Sequence, residues 1–240
     1  MDFDTRNGWY FLHLFWKMNW PEYKKVATET KKAQLEELKD IIAEFEDCAQ
    51  NDRGSYGLGR VIGHKADFAI MILHEDIQKL IDWQDRLKRL DLFNEAELVV
   101  SYLSVCEVTN YVIEKLSDSN PYVQNKLKPK IGNDKYFCFY PMNRKRDWYS
   151  LPFEERRRML SSHNRVGKGY DKKISHYVTN SFGFDDHQWA VTLGVNDFDD
   201  IKNIVYEMRF DEASAKYGEF PYFITGEFIT RENLDQYFIR

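Results

Sequence analysis

The feature that most constrains the fold is a repeat. Phe68-Ala-Ile-Met-Ile-Leu73 and Trp189-Ala-Val-Thr-Leu-Gly194 match 121 positions apart in a chain of 240 residues, and each is followed by an acidic turn and an Ile-rich helical pattern. An offset near half the chain length makes two copies of one unit, each long enough for its own core. The flanking patterns agree. Trp9–Met18 is an aromatic strand pattern, Thr30–Ala49 carries Leu35, Leu38, Ile41, Ile42 and Phe45 at helical spacing, and Tyr56–Ile62 and Asp67–His74 are strands joined by a Gly63-His64-Lys65-Ala66 turn. A helix with Ile77, Leu80, Ile81 and Leu87 on one stripe follows, then a strand over Leu98–Val108. The order β-α-β-β-α-β is ferredoxin-like.

A polar connector over 117–134, broken by Pro121 and Pro129, precedes the same order again. Tyr136–Met142 is a strand, Pro152–Ser162 a helix, Ile174–Phe182 and Gln188–Val195 a hairpin, Phe198–Phe210 a helix and Phe220–Phe228 a strand. The expected class is α+β: residues 1–116 and 135–240 form two ferredoxin-like halves whose bare sheet faces pair into a barrel. The aromatic content of 16% supplies the core of both.

Several function classes are excluded. Cys48, Cys106 and Cys138 are too scattered for a disulfide framework or a zinc site. A net charge of −5 with mixed signs gives no nucleic-acid footprint. No apolar run reaches the roughly 18 residues of a membrane span, and the polar start at Met1–Gly8 is no secretory signal, so cytoplasmic residence is expected.

Chemistry concentrates in the second half. His163 lies four residues after Met159 and three after Leu160, on the apolar stripe of a helix that opens at Pro152 with Glu154 and Glu155 and stops at Gly167. It is either a metal ligand or a buried histidine bonded to a backbone carbonyl. Alternation on the next strand upstream places Tyr136, Cys138, Tyr140 and Met142 on one face and Phe137 and Phe139 on the other. Tyr140, held extended by Pro141, is either a redox or acid/base group beside a cofactor or a packed tyrosine with a bonded hydroxyl. The runs Arg144-Lys145-Arg146 and Arg156-Arg157-Arg158 are either solvated faces or carboxylate-recognition sites.

Tyr140-Pro-Met-Asn-Arg-Lys-Arg-Asp-Trp-Tyr149, Leu151-Pro-Phe-Glu-Glu-Arg156, His163 followed by Gly167, Phe184-Asp-Asp186 before Trp189, and Tyr206-Glu-Met-Arg-Phe-Asp-Glu-Ala-Ser-Ala-Lys-Tyr-Gly-Glu-Phe220 resemble the chlorite dismutase-like superfamily, most of all its coproheme decarboxylase branch. The resemblance spans 126–228 in detail and the first half in element order. It implies a homopentamer that binds iron coproporphyrin III or haem b in the C-terminal half, and peroxide-driven oxidative decarboxylation of propionates to give haem b. It implies His163 as the axial iron ligand, Tyr140 as the tyrosine that is oxidised and attacks a propionate, and Arg144 or Lys145 near that propionate. Lys126, Arg209 and Ser214 match propionate-anchoring positions, and Met142 lies beside the cofactor on the face of Tyr140. His176, thirteen residues after His163, stands where chlorite dismutases have arginine and many coproheme decarboxylases glutamine. The loss of that arginine argues against chlorite dismutation, and a histidine there could assist peroxide deprotonation. A haem peroxidase-like enzyme and a non-catalytic haem carrier are the alternatives; the pairing of Tyr140 with His163 favours the decarboxylase, because a carrier has no use for the tyrosine.

Overall fold

In a computed structural model of the chain, residues 5–109, 117 and 119–239 are described; the expected boundary at residue 116 lies outside them. The chain forms two compact units, one of Trp9–Leu103, Lys130–Asn133 and Gly226–Arg240, the other of Met1–Gly8, Ser104–Pro129 and Asp134–Thr225.

The first unit is built on β1 (Thr5–Met18), α1 (Thr28–Gln50), β2 (Gly54–Ile62), β3 (Phe68–His74), α2 (Ile77–Lys88) and β4 (Ala96–Thr109). Its strands lie in the order β4-β1-β3-β2, with β3 antiparallel to β1 and β2 so that Phe68 faces Trp16 on one side and Arg60 on the other. This is the ferredoxin-like arrangement. Alternate residues of β1, from Leu12 to Met18, enter one core with Leu35, Leu38, Ile41, Ile42 and Phe45 of α1 and Leu80, Trp83 and Leu87 of α2. Ile81, expected on the α2 stripe, is instead exposed at 43%, and Trp83 takes the inward position. The positions i, i+3 and i+7 from Leu80 share one helix face, and Ile81 is turned about 100° off it.

The second unit contains α3 (Pro121–Leu127), β5 (Tyr136–Arg144), α4 (Phe153–Lys168), β6 (Ile174–Asn180), β7 (Trp189–Val195), α5 (Asp199–Met208), α6 (Glu212–Tyr217) and β8 (Gly218–Glu219), and β9 (Ile224–Ile229) begins in it and ends in the first unit. The neighbours run β9-β5-β7-β6, which repeats the order of the first unit. The repeat also holds in register: β3 and β7 are each seven residues long, and Phe68 and Trp189 are their first residues. The chain therefore contains two ferredoxin-like halves.

Several boundaries differ from the sequence reading, among them the start of β1, at Thr5 rather than Trp9. Pro152 is the N-cap of α4 rather than part of it, and the helix passes through Gly167 to end at Lys168. Gly167 is no stop: it lies inside the helix, where a Cβ would meet only the Met208 Cε, at 3.4 Å. The final strand begins at Ile224, and α6, unforeseen, occupies Glu212–Tyr217.

The two long helices are packed very differently. α1 fully buries Leu35, Leu38, Ile41, Ile42, Phe45 and Cys48, whereas the only residue α4 buries to that degree is Met159. Among the described residues no helix is long and apolar enough to cross a membrane.

Candidate functional site

The site candidates fall within the second unit. His163 stands on α4 with its Nδ1 2.9 Å from Asp211 Oδ2. Asp211 is the N-cap of α6, its carboxylate receiving the Ser214 backbone N–H at 3.1 Å, and its side chain is 1% exposed. Burial pushes the Asp211 carboxyl up, but the hydrogen bonds from His163 and from Ser214, with the nearby charge of Arg144, outweigh it and hold the group below the ordinary carboxylate value. A buried carboxylate on Nδ1 fixes the tautomer that leaves Nε2 with its lone pair, which is the arrangement of a metal-ligating imidazole. The donor set thus fits an iron porphyrin. The backbone-carbonyl alternative for His163 is replaced by this carboxylate partner.

Arg144 is a buried residue. It is 4% exposed, donates from Nη1 to the Ala213 carbonyl at 2.7 Å, and lies over the Trp148 ring at 5.1 Å. Its guanidinium braces the first turn of α6, the turn that carries Asp211 and Ser214. Lys145 is exposed and is fixed through its backbone, N–H to the Tyr217 carbonyl at 2.9 Å. Ser214 is buried beside the histidine, its Oγ 3.4 Å from Nδ1 of His163.

Tyr140 and Met142 pack, as alternation predicts, with Cys138 against Val191, Leu193 and the inward face of α5. The Tyr140 ring meets Phe223 at 4.8 Å and Phe220 at 5.9 Å, and burial raises its hydroxyl pKa, opposed in part by the charge of Arg209. Arg209 is exposed and lies 4.3 Å over the Phe220 ring.

Lys126 and His176 form a second group. The Lys126 ammonium is 3.4 Å from the His176 carbonyl oxygen, and burial lowers its pKa against the favourable charge of Asp171. His176 has a buried Nε2 with no hydrogen-bond partner among the described residues. Burial first, then the Lys126 charge, push its pKa down to about 4, so it is neutral at pH 7. His163 is close enough for its charge to add to that depression.

Asp211, Phe220 and Phe223 are the site residues that sequence reasoning missed. Asp211 had a legible signal, an aspartate three residues before Ser214 at a helix start. The two phenylalanines had none beyond their place in a strand-like run.

A family model described as chlorite dismutase matches residues 31–229. Two curated relatives, the coproheme decarboxylases of Staphylococcus carnosus (strain TM300) and Staphylococcus saprophyticus, are 36% and 34% identical, each alignment covering 98% of this chain and 97% of the relative. A solved structure of a haem-binding protein from Thermus thermophilus superposes with a TM-score of 0.94 at 34% identity, covering 99% of this chain and 97% of that one.

Proposed function

The chain belongs to the chlorite dismutase family, and from that premise we propose that it is a coproheme decarboxylase, which removes propionate carboxyls from iron coproporphyrin III with hydrogen peroxide as oxidant and yields haem b. The observation that carries the reading is a histidine backed by a buried carboxylate in the same unit as a half-buried tyrosine packed on the core. Bound iron porphyrin supplies the oxidising power that no side chain has.

The protein residues supply binding, orientation and proton handling. His163 would hold the iron through Nε2, with Asp211 fixing the orientation of the ring. Tyr140 is the oxidisable group. Because burial keeps its hydroxyl protonated, it would give up an electron and a proton together to the peroxide-derived oxidant and recover them as a hydrogen atom from a propionate β-carbon; carbon dioxide would then leave as the second electron passes to the same oxidant, so that each vinyl group consumes one hydrogen peroxide. Lys126, Arg209 and Lys145 offer cations to the propionate carboxylates. With Arg144 engaged by Ala213, Lys145 is the better candidate of that pair. Met142 packs beside Tyr140, Ser214 supports His163 rather than a carboxylate, and neutral His176 can accept the first proton of hydrogen peroxide. On family likeness we place the enzyme in the cytoplasm as a homopentamer.

The test is to load purified protein with iron coproporphyrin III, titrate peroxide and follow product masses. Stepwise loss of two carboxyls supports the assignment. Peroxide consumption without decarboxylation replaces it with the peroxidase-like reading, and porphyrin binding with neither activity replaces it with the carrier.

A further inference from the structure

Phe220 touches two groups of different purpose. One side of its ring carries the Arg209 guanidinium at 4.3 Å. It also meets the Tyr140 ring edge-on, with centroids 5.9 Å apart and planes at 61°. Its position is tightly set, since a Cβ on Gly218 would come within 2.9 Å of Phe220 Cε2 and within 2.9 Å of the Ser214 carbonyl. Tyr140 also meets the Phe223 ring, with centroids 4.8 Å apart.

A guanidinium over an aromatic face is held by the ring quadrupole, and an edge-to-face pair fixes the tilt of both rings. Arg209 is exposed and sits just past the end of α5, with its backbone N–H on the Tyr206 carbonyl. The Phe220 ring is therefore what gives a solvent-facing, rotamer-rich side chain a definite place. The same ring limits where the Tyr140 phenol can lie.

We infer that Phe220 is a positioning residue for the decarboxylation: its ring holds the carboxylate-binding Arg209 and the oxidisable Tyr140 in one fixed relation, so that the propionate anchored by the arginine is the one presented to the tyrosine. This rests on the decarboxylase reading above. Phe220 itself contacts no carboxylate in this scheme; it acts through its two neighbours. The roles are separable because Arg209 sets affinity while Tyr140 sets turnover.

The experiment is a double-mutant cycle on affinity combined with turnover. Iron-free coproporphyrin III, which is fluorescent and cannot be turned over, is titrated into wild-type protein, Phe220→Leu, Arg209→Ala and the double variant. Thermal melting confirms that each is folded. Phe220→Leu keeps the apolar volume but removes the quadrupole, so affinity should fall about threefold to tenfold, and the loss should be largely absent when Arg209 is already alanine. Its decarboxylation rate at saturating iron coproporphyrin III should also fall, whereas Arg209→Ala should mainly raise KM. Phe220→Tyr, which keeps the ring, should restore both. Additive effects in the cycle, or a leucine variant equal to wild type in affinity and rate, overturn the inference. Failure of the wild-type protein to bind or decarboxylate the porphyrin overturns the parent reading instead.

Discussion

Asp211 Oδ2 accepts two hydrogen bonds at once, from His163 Nδ1 at 2.9 Å and from the Ser214 backbone N–H at 3.1 Å. One buried oxygen thereby ties the ring of α4 to the start of α6, and the ligand orientation is coupled to a helix cap. Replacing the carboxylate affects both. Asp211→Asn should lower iron-porphyrin affinity about 10- to 100-fold, the usual cost of removing such a partner. Titration with haem, read at the Soret band, measures it; a change under twofold would mean the aspartate serves only as a cap.

His163→Ala should abolish the histidine-ligated spectrum, because no other imidazole has a buried carboxylate on Nδ1 among the described residues. Imidazole added to this variant should partly restore the spectrum. A spectrum unchanged from wild type would point to His176 as the ligand.

Tyr140→Phe removes only the hydroxyl, and the ring contacts with Phe220 and Phe223 do not need it. Porphyrin affinity should stay within about twofold, while decarboxylation falls by orders of magnitude and simple peroxide consumption persists. Carbon dioxide release at the wild-type rate by this variant would remove the tyrosine from the reaction.

The ligand-free protein should lose stability as pH falls from 6.5 towards about 4. His176 has an unfolded value near 6.5 and a folded value of about 4, so the unfolded chain takes up protons first. Its contribution is fully present above pH 6.5 and is lost as pH falls through about 4. His13, fully buried and pushed down to about 3, adds loss in the same direction that extends lower. Asp211 has its folded value below the ordinary carboxylate range and adds its own loss only below about pH 4. Urea unfolding of His176→Gln between pH 4 and 7 should show a shallower slope than wild type; equal slopes would mean that His176 is not held neutral.

Gly194 admits no side chain, since a Cβ there collides with the Asp134 carboxylate, which receives the Ser175 hydroxyl at 3.3 Å. Gly194→Ala should destabilise the protein by about 1–3 kcal/mol, as overpacking does. Chemical denaturation measures it, and an unchanged midpoint would show that Asp134 can swing clear.

Much of this was legible. Periodicity located the strands and long helices of both halves, and the Phe68/Trp189 match fixed the repeat because buried β-hairpin strands leave short, dense apolar runs. Ile81 and Gly167 misled for opposite reasons. An isoleucine near a stripe was counted into it, and a glycine inside a helix was read as its stop. The site was legible only one residue at a time. His163 and Tyr140 carry their chemistry in their type, but Asp211, Arg144 and Phe220 derive theirs from neighbours 48, 69 and 80 positions away in sequence, and no local pattern records such distances.

The unequal packing of α1 and α4 gives the repeat a thermodynamic asymmetry. Each apolar side chain that α1 buries contributes roughly 1.5–3 kcal/mol, so that helix is anchored by its own sequence. α4, with Met159 as its one fully buried residue, depends much more on polar ties such as His163 with Asp211 and Arg158 with Glu212. A ligand held by His163 then acts as a tenant that stiffens its own lodging: by linkage, every gain in binding to the folded form appears as added melting temperature.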